Sequence, residues 1–172
     1  ALEKQQFIYH LEKKIGHRLP KIAQVSMELA DDTQEMRELR KWMHKNAFHR
    51  IFVGVETSNI ASLKETGKYQ NMRGEKTLEQ KLDLLSREVG TVTAGAIYGF
   101  DSDTSKTLED FANLINKTGS PTWMAGLLVP FKGTRLETRL KHEGRLMIDN
   151  GGNNSDCAMS FIPMNISAKK AE

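Results

Sequence analysis

The chain has 172 residues and a formal net charge of +3, with Lys and Arg spread among acids rather than blocked together. That length suits one domain with a real core, and the dispersed charge argues against a dedicated nucleic-acid surface. No apolar run approaches the roughly 20 residues that span a bilayer, and no secretory signal opens the chain. Cys157 is the single cysteine, which excludes an intramolecular disulfide and a cysteine-rich metal site and makes a reducing cytoplasm the default setting.

Residues 2–16 read as a helix, with Phe7, Ile8, Leu11 and Ile15 on one side and Gly16 as its terminator. After the break at Pro20, Ile22 to Leu29 reads as the first strand. Ile22, Gln24, Ser26 and Glu28 share one face, and Ala23, Val25, Met27 and Leu29 share the other. Asp31, Asp32 and Thr33 are capping residues for a helix whose Met36, Leu39 and Met43 follow helical spacing. Ile51 to Glu56 is a near-continuous apolar run, as buried parallel strands tend to be. Ser58 can cap a short helix holding Ile60 and Leu63, which Gly67 ends, and a polar, partly basic loop runs from Lys68 to Lys76. Thr77-Leu-Glu-Gln80 is a capping-box pattern, with Leu78, Leu82 and Leu85 as the apolar stripe behind it.

Thr91 to Thr104 is the stretch around which the rest is organised. It reads as a strand running into an acidic turn, where Asp101 and Asp103 are turn formers and helix caps. Alternation places Gly95, Ile97 and Gly99 on one face and Val92, Ala94, Ala96 and Tyr98 on the other. Glycine weakens a strand interior; close approach of a ligand or of another backbone is one reason to keep it, a bulge or a tight strand–helix contact another. Leu108, Phe111, Ala112 and Ile115 mark the next helix, closed near Gly119-Ser-Pro121. Thr122 to Val129 is the last strand, with Trp123 and Met124 read as packing residues. A second capping-box pattern, Thr134-Arg-Leu-Glu137, opens a helix that ends near Gly144.

Strand starts at about 22, 51, 91 and 122, separated by helices, predict an α/β fold with parallel strands and right-handed crossovers. In such folds ligands gather at the carboxyl ends of the strands. Those ends carry Glu28, Glu56, Gly99-Phe-Asp101 and Pro130-Phe-Lys-Gly133.

Several motifs in order resemble the barrel domain of radical S-adenosylmethionine enzymes, in the branch with an N-terminal cobalamin-binding domain. They are Ile51-Phe-Val-Gly-Val-Glu-Thr57, Ser62-Leu-Lys-Glu-Thr66, Gln70-Asn71-x-Arg73, Gly95 to Thr104, Gly126-Leu-Leu, Gly133-Thr-Arg-Leu136 and Arg139 to Leu146. Asn150 to Met164 is similar to the segment that follows that barrel, so the resemblance covers roughly residues 20 to 165. It implies a partial (β/α) barrel of about four βα units over residues 1–146, with N-terminal units missing, and a post-barrel segment and tail over 147–172.

The resemblance also implies site residues and cofactors. Glu56 takes the place of the strand-end polar residue that contacts the ribose or the amino-acid part of S-adenosylmethionine; a helix cap or surface carboxylate is the plainer role. Gly95, Ile97 and Gly99 would form a flat apolar seat for adenine. Gln24, Ser26 and Glu28 would line the barrel interior beside substrate or water, and Arg73 in the loop could grip an anion or stand solvated. In the intact enzyme a reduced [4Fe–4S] cluster would cleave S-adenosylmethionine to a 5′-deoxyadenosyl radical that attacks a small-molecule substrate. Cobalamin and methyl transfer remain open within the branch.

Two departures limit this. Three cysteines of a Cys-x-x-x-Cys-x-x-Cys loop hold such a cluster, and a chain with one cysteine cannot supply them, so the chain alone is expected to be inactive. Lys132 stands where the branch usually has proline, and Gln24 where it has an acid. Two alternatives stay open. One is a βα enzyme taking a phosphorylated ligand; the other is a non-enzymatic remnant that self-associates through an open sheet edge. Cys157 is expected to be a bystander.

Overall fold

The computed structural model describes residues 2–118, 122–147 and 159–166. Cys157, Gly119 to Pro121 and the Gly151–Asp156 stretch lie outside the described residues. Helix α1 (Leu2–Ile15) leads into β1 (Lys21–Val25), followed by α2 (Gln34–Lys45), β2 (Phe48–Glu56), α3 (Ile60–Glu65) and α4 (Leu78–Glu88). Then come β3 (Thr91–Tyr98), α5 (Ser105–Lys117), β4 (Thr122–Leu127) and α6 (Arg135–His142). The four strands form one parallel sheet in the order β1-β2-β3-β4. This is the α/β architecture expected of a partial βα barrel. No helix among the described residues is long and apolar enough to cross a membrane.

One face of the sheet is dry. Ile51, Val53 and Val55 of β2 and Val92 and Ala94 of β3 are fully buried against Met43 of α2 and Leu82 and Leu85 of α4. The opposite face is open, with Ile22 at 73% and Met124 at 58% exposure. Gln24, Phe52, Thr93 and Thr122 lie in register across it, as do Gly54, Gly95 and Met124. Met124 is therefore not the packing residue that composition suggests.

The first strand is shorter than its alternation predicts. Ser26 leaves the strand and its hydroxyl accepts the Glu28 N–H at 3.3 Å, starting a 3-10 turn over Met27–Ala30. Winding lets Met27, Leu29 and Ala30 all enter the core, which a strand cannot do with adjacent residues. Arg40, almost wholly buried on α2, locks that turn through the carbonyls of Leu29 (2.7 Å) and Asp31 (2.9 Å) and pairs with Glu88 of α4 at 2.6 Å.

Other elements differ in detail. Asn59, not Ser58, caps α3, its side-chain oxygen accepting the Ala61 N–H at 2.9 Å. On α5 the buried face is Thr107, Phe111 and Leu114, so Leu108 and Ile115 of the expected stripe stand exposed. On α1, Phe7 and Ile15 are likewise exposed. β4 ends at Leu127, two residues short of expectation. The Thr77–Gln80 capping box is complete. At Thr134 only half a box forms, because the Glu137 carboxylate turns instead to the Gly133 N–H at 2.7 Å.

Candidate functional site at the strand ends

The last residues of β2 depart from strand geometry. Glu56 has φ +65°, and the Thr57 N–H donates to the Val55 carbonyl at 2.9 Å, closing a γ-turn about Glu56. The β2–β3 register slips at the same place, between Gly54 and Glu56. A left-handed glutamate is held there only by its surroundings. Asn71 supplies them: buried in the loop before α4, it donates its amide to the carbonyls of Gly54 (3.1 Å) and Val55 (2.8 Å).

The γ-turn folds the Glu56 carboxylate back along the strand. A Cβ at position 54 would lie 2.7 Å from Glu56 Oε1, so Gly54 leaves the room in which that carboxylate sits. Its partner is the Lys68 ammonium at 3.0 Å. Lys81 of α4 secures the loop from below, donating to the carbonyls of Arg73 (2.5 Å) and Asn71 (3.4 Å). Burial lowers the pKa of this nearly inaccessible lysine, although the charge of Asp31 works in the opposite direction.

Gly95 lies opposite Gly54 on the open face, but the space above it is filled. An added Cβ would meet Cζ of Phe52 at 2.6 Å, so the glycine accommodates an aromatic ring from β2. The half-buried Ile97 follows it on the same face. Gly99 lies beyond the end of β3 with φ +112°, so it does not continue that face, and Met159 packs where its Cβ would be, at 3.0 Å.

The turn after β3 is a closed network. Asp103 is fully buried, and its carboxylate accepts from the Gly99 and Phe100 N–H groups, both at 3.0 Å, from Ser62 Oγ at 2.7 Å and from Asn59 at 3.4 Å. It is more than a helix cap: it ties the end of β3 to α3. Asp101 pairs with Arg145 and with Arg139 at 2.8 Å, while Asn165 donates to its backbone carbonyl at 2.7 Å. These bonds bring α6 and residues 159–166 onto the turn, where Leu140, Met159 and Phe161 make a second small core.

The remaining expected residues separate. Gln24 lies exposed on the open face, and Ser26 is spent on the 3-10 turn. Glu28 and Arg73 neutralise each other at 3.0 Å on the rim, so Arg73 is not a free anion grip. A cavity of ≈ 420 Å³, lined among others by Asp31, Asp32, Thr33, Lys76 and Lys81, includes none of the residues expected to seat an adenosyl group.

The donor set decides which groups fit. Glu56 can accept hydrogen bonds from hydroxyls or an ammonium on the open face, and Phe52 and Ile97 provide apolar surface nearby. That suits S-adenosylmethionine, with the Phe52 ring rather than bare glycine under any base. The iron–sulfur cluster does not fit, because one cysteine cannot replace three thiolates. Among the described residues no group of three or more His, Cys, Asp or Glu could hold a metal ion. Asn71 was legible only as part of the Gln70-Asn71-x-Arg73 motif, with no role, and Lys68, Gly54 and Phe52 were given no role by sequence reasoning; a glycine two residues before a strand-end acid was the available signal.

The site thus belongs to an α/β protein with polar groups gathered at strand ends. Among curated proteins, the chain is similar to an uncharacterized methyltransferase of Synechocystis sp., 34% identical over 141 residues, covering 81% of this chain and 25% of that protein. It is also similar to hopanoid C-2 methylase of Rhodopseudomonas palustris, 30% identical over 150 residues, covering 87% of this chain and 27% of that protein. The chain thus spans about a quarter of the length of the curated relatives it matches. No family model matches it.

Proposed function

We propose that this chain contributes the strand-end cofactor seat of a methyl-transferring enzyme of the radical S-adenosylmethionine type, working as part of a longer protein. The observation that carries the reading is Glu56, presented by a strained turn at the carboxyl end of a parallel strand with its carboxylate over the open face. Strain of this kind persists only where the surroundings impose it, and it clusters at functional sites. The names of the two relatives, a methyltransferase and a methylase, support the reaction class.

S-adenosylmethionine, when bound, supplies the methyl group or the radical chemistry. The residues of this chain bind and orient it. Glu56 accepts a hydrogen bond from the ribose or the ammonium, Phe52 and Ile97 present apolar surface, and Asn71 holds the turn that aims the carboxylate. The three thiolates that hold a [4Fe–4S] cluster are not in this chain, which has one cysteine. The phosphate-binding alternative is disfavoured at the end of β2, where the group presented to the open face is the Glu56 carboxylate rather than a free donor.

The test is calorimetric binding of S-adenosylhomocysteine to the chain. The expected result is weak but measurable affinity that falls about tenfold or more in Glu56→Gln, in keeping with a lost charge-assisted bond. Equal affinity in the two proteins would overturn the assignment. A second expectation is that S-adenosylmethionine under reducing conditions yields no 5′-deoxyadenosine with this chain. Turnover above background in iron-free protein would contradict the radical class.

A further inference from the structure

We infer that Lys68 is a built-in competitor for the ligand at Glu56: its ammonium stands where the ammonium of a bound amino-acid group is to go. This rests on the reading of Glu56 as the ligand-contacting carboxylate, and of its two candidate partners it takes the ammonium rather than the ribose. Lys68 Nζ lies 3.0 Å from Glu56 Oε1, the geometry an incoming α-ammonium would adopt. The backbone of Lys68 is fixed on both sides, its N–H donating to the Leu63 carbonyl at 2.9 Å and its carbonyl accepting the Asn71 N–H at 3.1 Å. Its side chain is free to swing, being 42% exposed against 18% for that of Glu56. The γ-turn and the Asn71 bonds set the backbone from which the carboxylate projects, and Gly54 leaves the room in which it meets the lysine.

Binding therefore exchanges one ion pair for another. The free chain keeps the carboxylate neutralised, and a ligand without an ammonium gains nothing by displacing the lysine. A ligand that carries one must first break a half-exposed pair, and such pairs have a modest strength. The consequence is selectivity against small cations and weak solutes, with a small loss of affinity for the true ligand.

Calorimetry at low ionic strength, with S-adenosylhomocysteine and with methylthioadenosine (which lacks the amino-acid group), tests this. Lys68→Met is expected to bind S-adenosylhomocysteine about two- to fivefold more tightly than the unaltered chain. Methylthioadenosine affinity should stay unchanged, and Lys68→Arg, which keeps the charge, should match the unaltered chain. Lys68→Gln serves as a second neutral variant should Lys68→Met fail to fold by circular dichroism. Unchanged or weaker binding in the neutral variants, or an equal gain for both ligands, would overturn the competitor role while leaving Glu56 in place. Glu56→Gln binding as well as the unaltered chain, or no binding by any of these proteins, would overturn the Glu56 reading and this inference with it.

Discussion

Asn71 and Val55 are joined by a buried side-chain-to-backbone hydrogen bond of 2.8 Å, and the same amide reaches Gly54 at 3.1 Å. One side chain from a loop thereby satisfies two carbonyls at the point where β2 loses its register with β3. Removing it takes a donor from both carbonyls and leaves Val55 with the γ-turn N–H of Thr57 alone. Asn71→Leu is expected to cost about 1–3 kcal/mol in urea unfolding. It should also loosen the loop that carries Lys68 and Arg73, seen as faster amide exchange over 68–73.

Glu56 and Ala47 are the two non-glycine residues with positive φ among the described residues, at +65° and +60°. Glycine at either place should relieve backbone strain and raise the unfolding free energy by about 1 kcal/mol. The two differ in function. Ala47→Gly is expected to leave S-adenosylhomocysteine binding unchanged, whereas Glu56→Gly should abolish it while stabilising the fold. Loss of stability in both variants would show that neither turn is strained.

Gly95→Ala brings a methyl group within 2.6 Å of the Phe52 ring. The ring must rotate or the strands must part, an overpacking cost of about 1–3 kcal/mol. Phe52→Ala removes the obstacle, so the double variant is expected to be no less stable than Phe52→Ala alone. A double-mutant cycle by chemical denaturation reads the coupling; additive effects would mean that Phe52 does not occupy this space.

Asp101 gives the fold an acid-sensitive clasp. Burial pushes its carboxyl up, but the hydrogen bond from Arg145 and the charges of Arg145 and Arg139 together outweigh burial and hold its pKa below the usual value. A carboxylate with a depressed folded value stabilises fully above its unfolded pKa of about 3.9, and the contribution is lost as pH falls through the folded value. Asp101→Asn should cost about 2–3 kcal/mol at neutral pH. The variant should also flatten the acid limb of the stability profile below about pH 4. Limited proteolysis should then cut residues 159–166 sooner than in the unaltered chain.

The faces of β3 were legible because alternation is a local property: Val92, Ala94, Ala96 and Tyr98 point one way whatever lies around them, and all four are buried. The position of Glu56 at a strand end was legible from the motif, but its γ-turn was not, since the groups that enforce it come from a loop beyond α3. Ile22 to Leu29 misled because alternation continued on paper while Ser26 turned the backbone and buried adjacent residues. On α5 two helical stripes one residue apart were available, and tertiary neighbours chose Thr107 and Leu114 over Leu108 and Ile115. Nothing in the local sequence marks Arg40 or Lys81 as buried; backbone carbonyls from distant turns accept from them. Gly95 was read as a place where a ligand or another backbone comes close; the group that lies over it is the side-chain ring of Phe52.

Gly54 and Glu56 compete for one small volume, since a methyl group at the first would lie 2.7 Å from the carboxylate of the second. What is tolerated at 54 therefore depends on what stands at 56. A lineage that acquires a side chain at 54 displaces the carboxylate of Glu56, the flexible end of that residue, and so gives up the seat rather than the fold. A lineage that gives up the acid at 56 is released from needing glycine at 54. Across descendants of this sequence, a side chain at 54 is expected where the acid at 56 has been lost or turned away, while glycine at 54 tolerates either state.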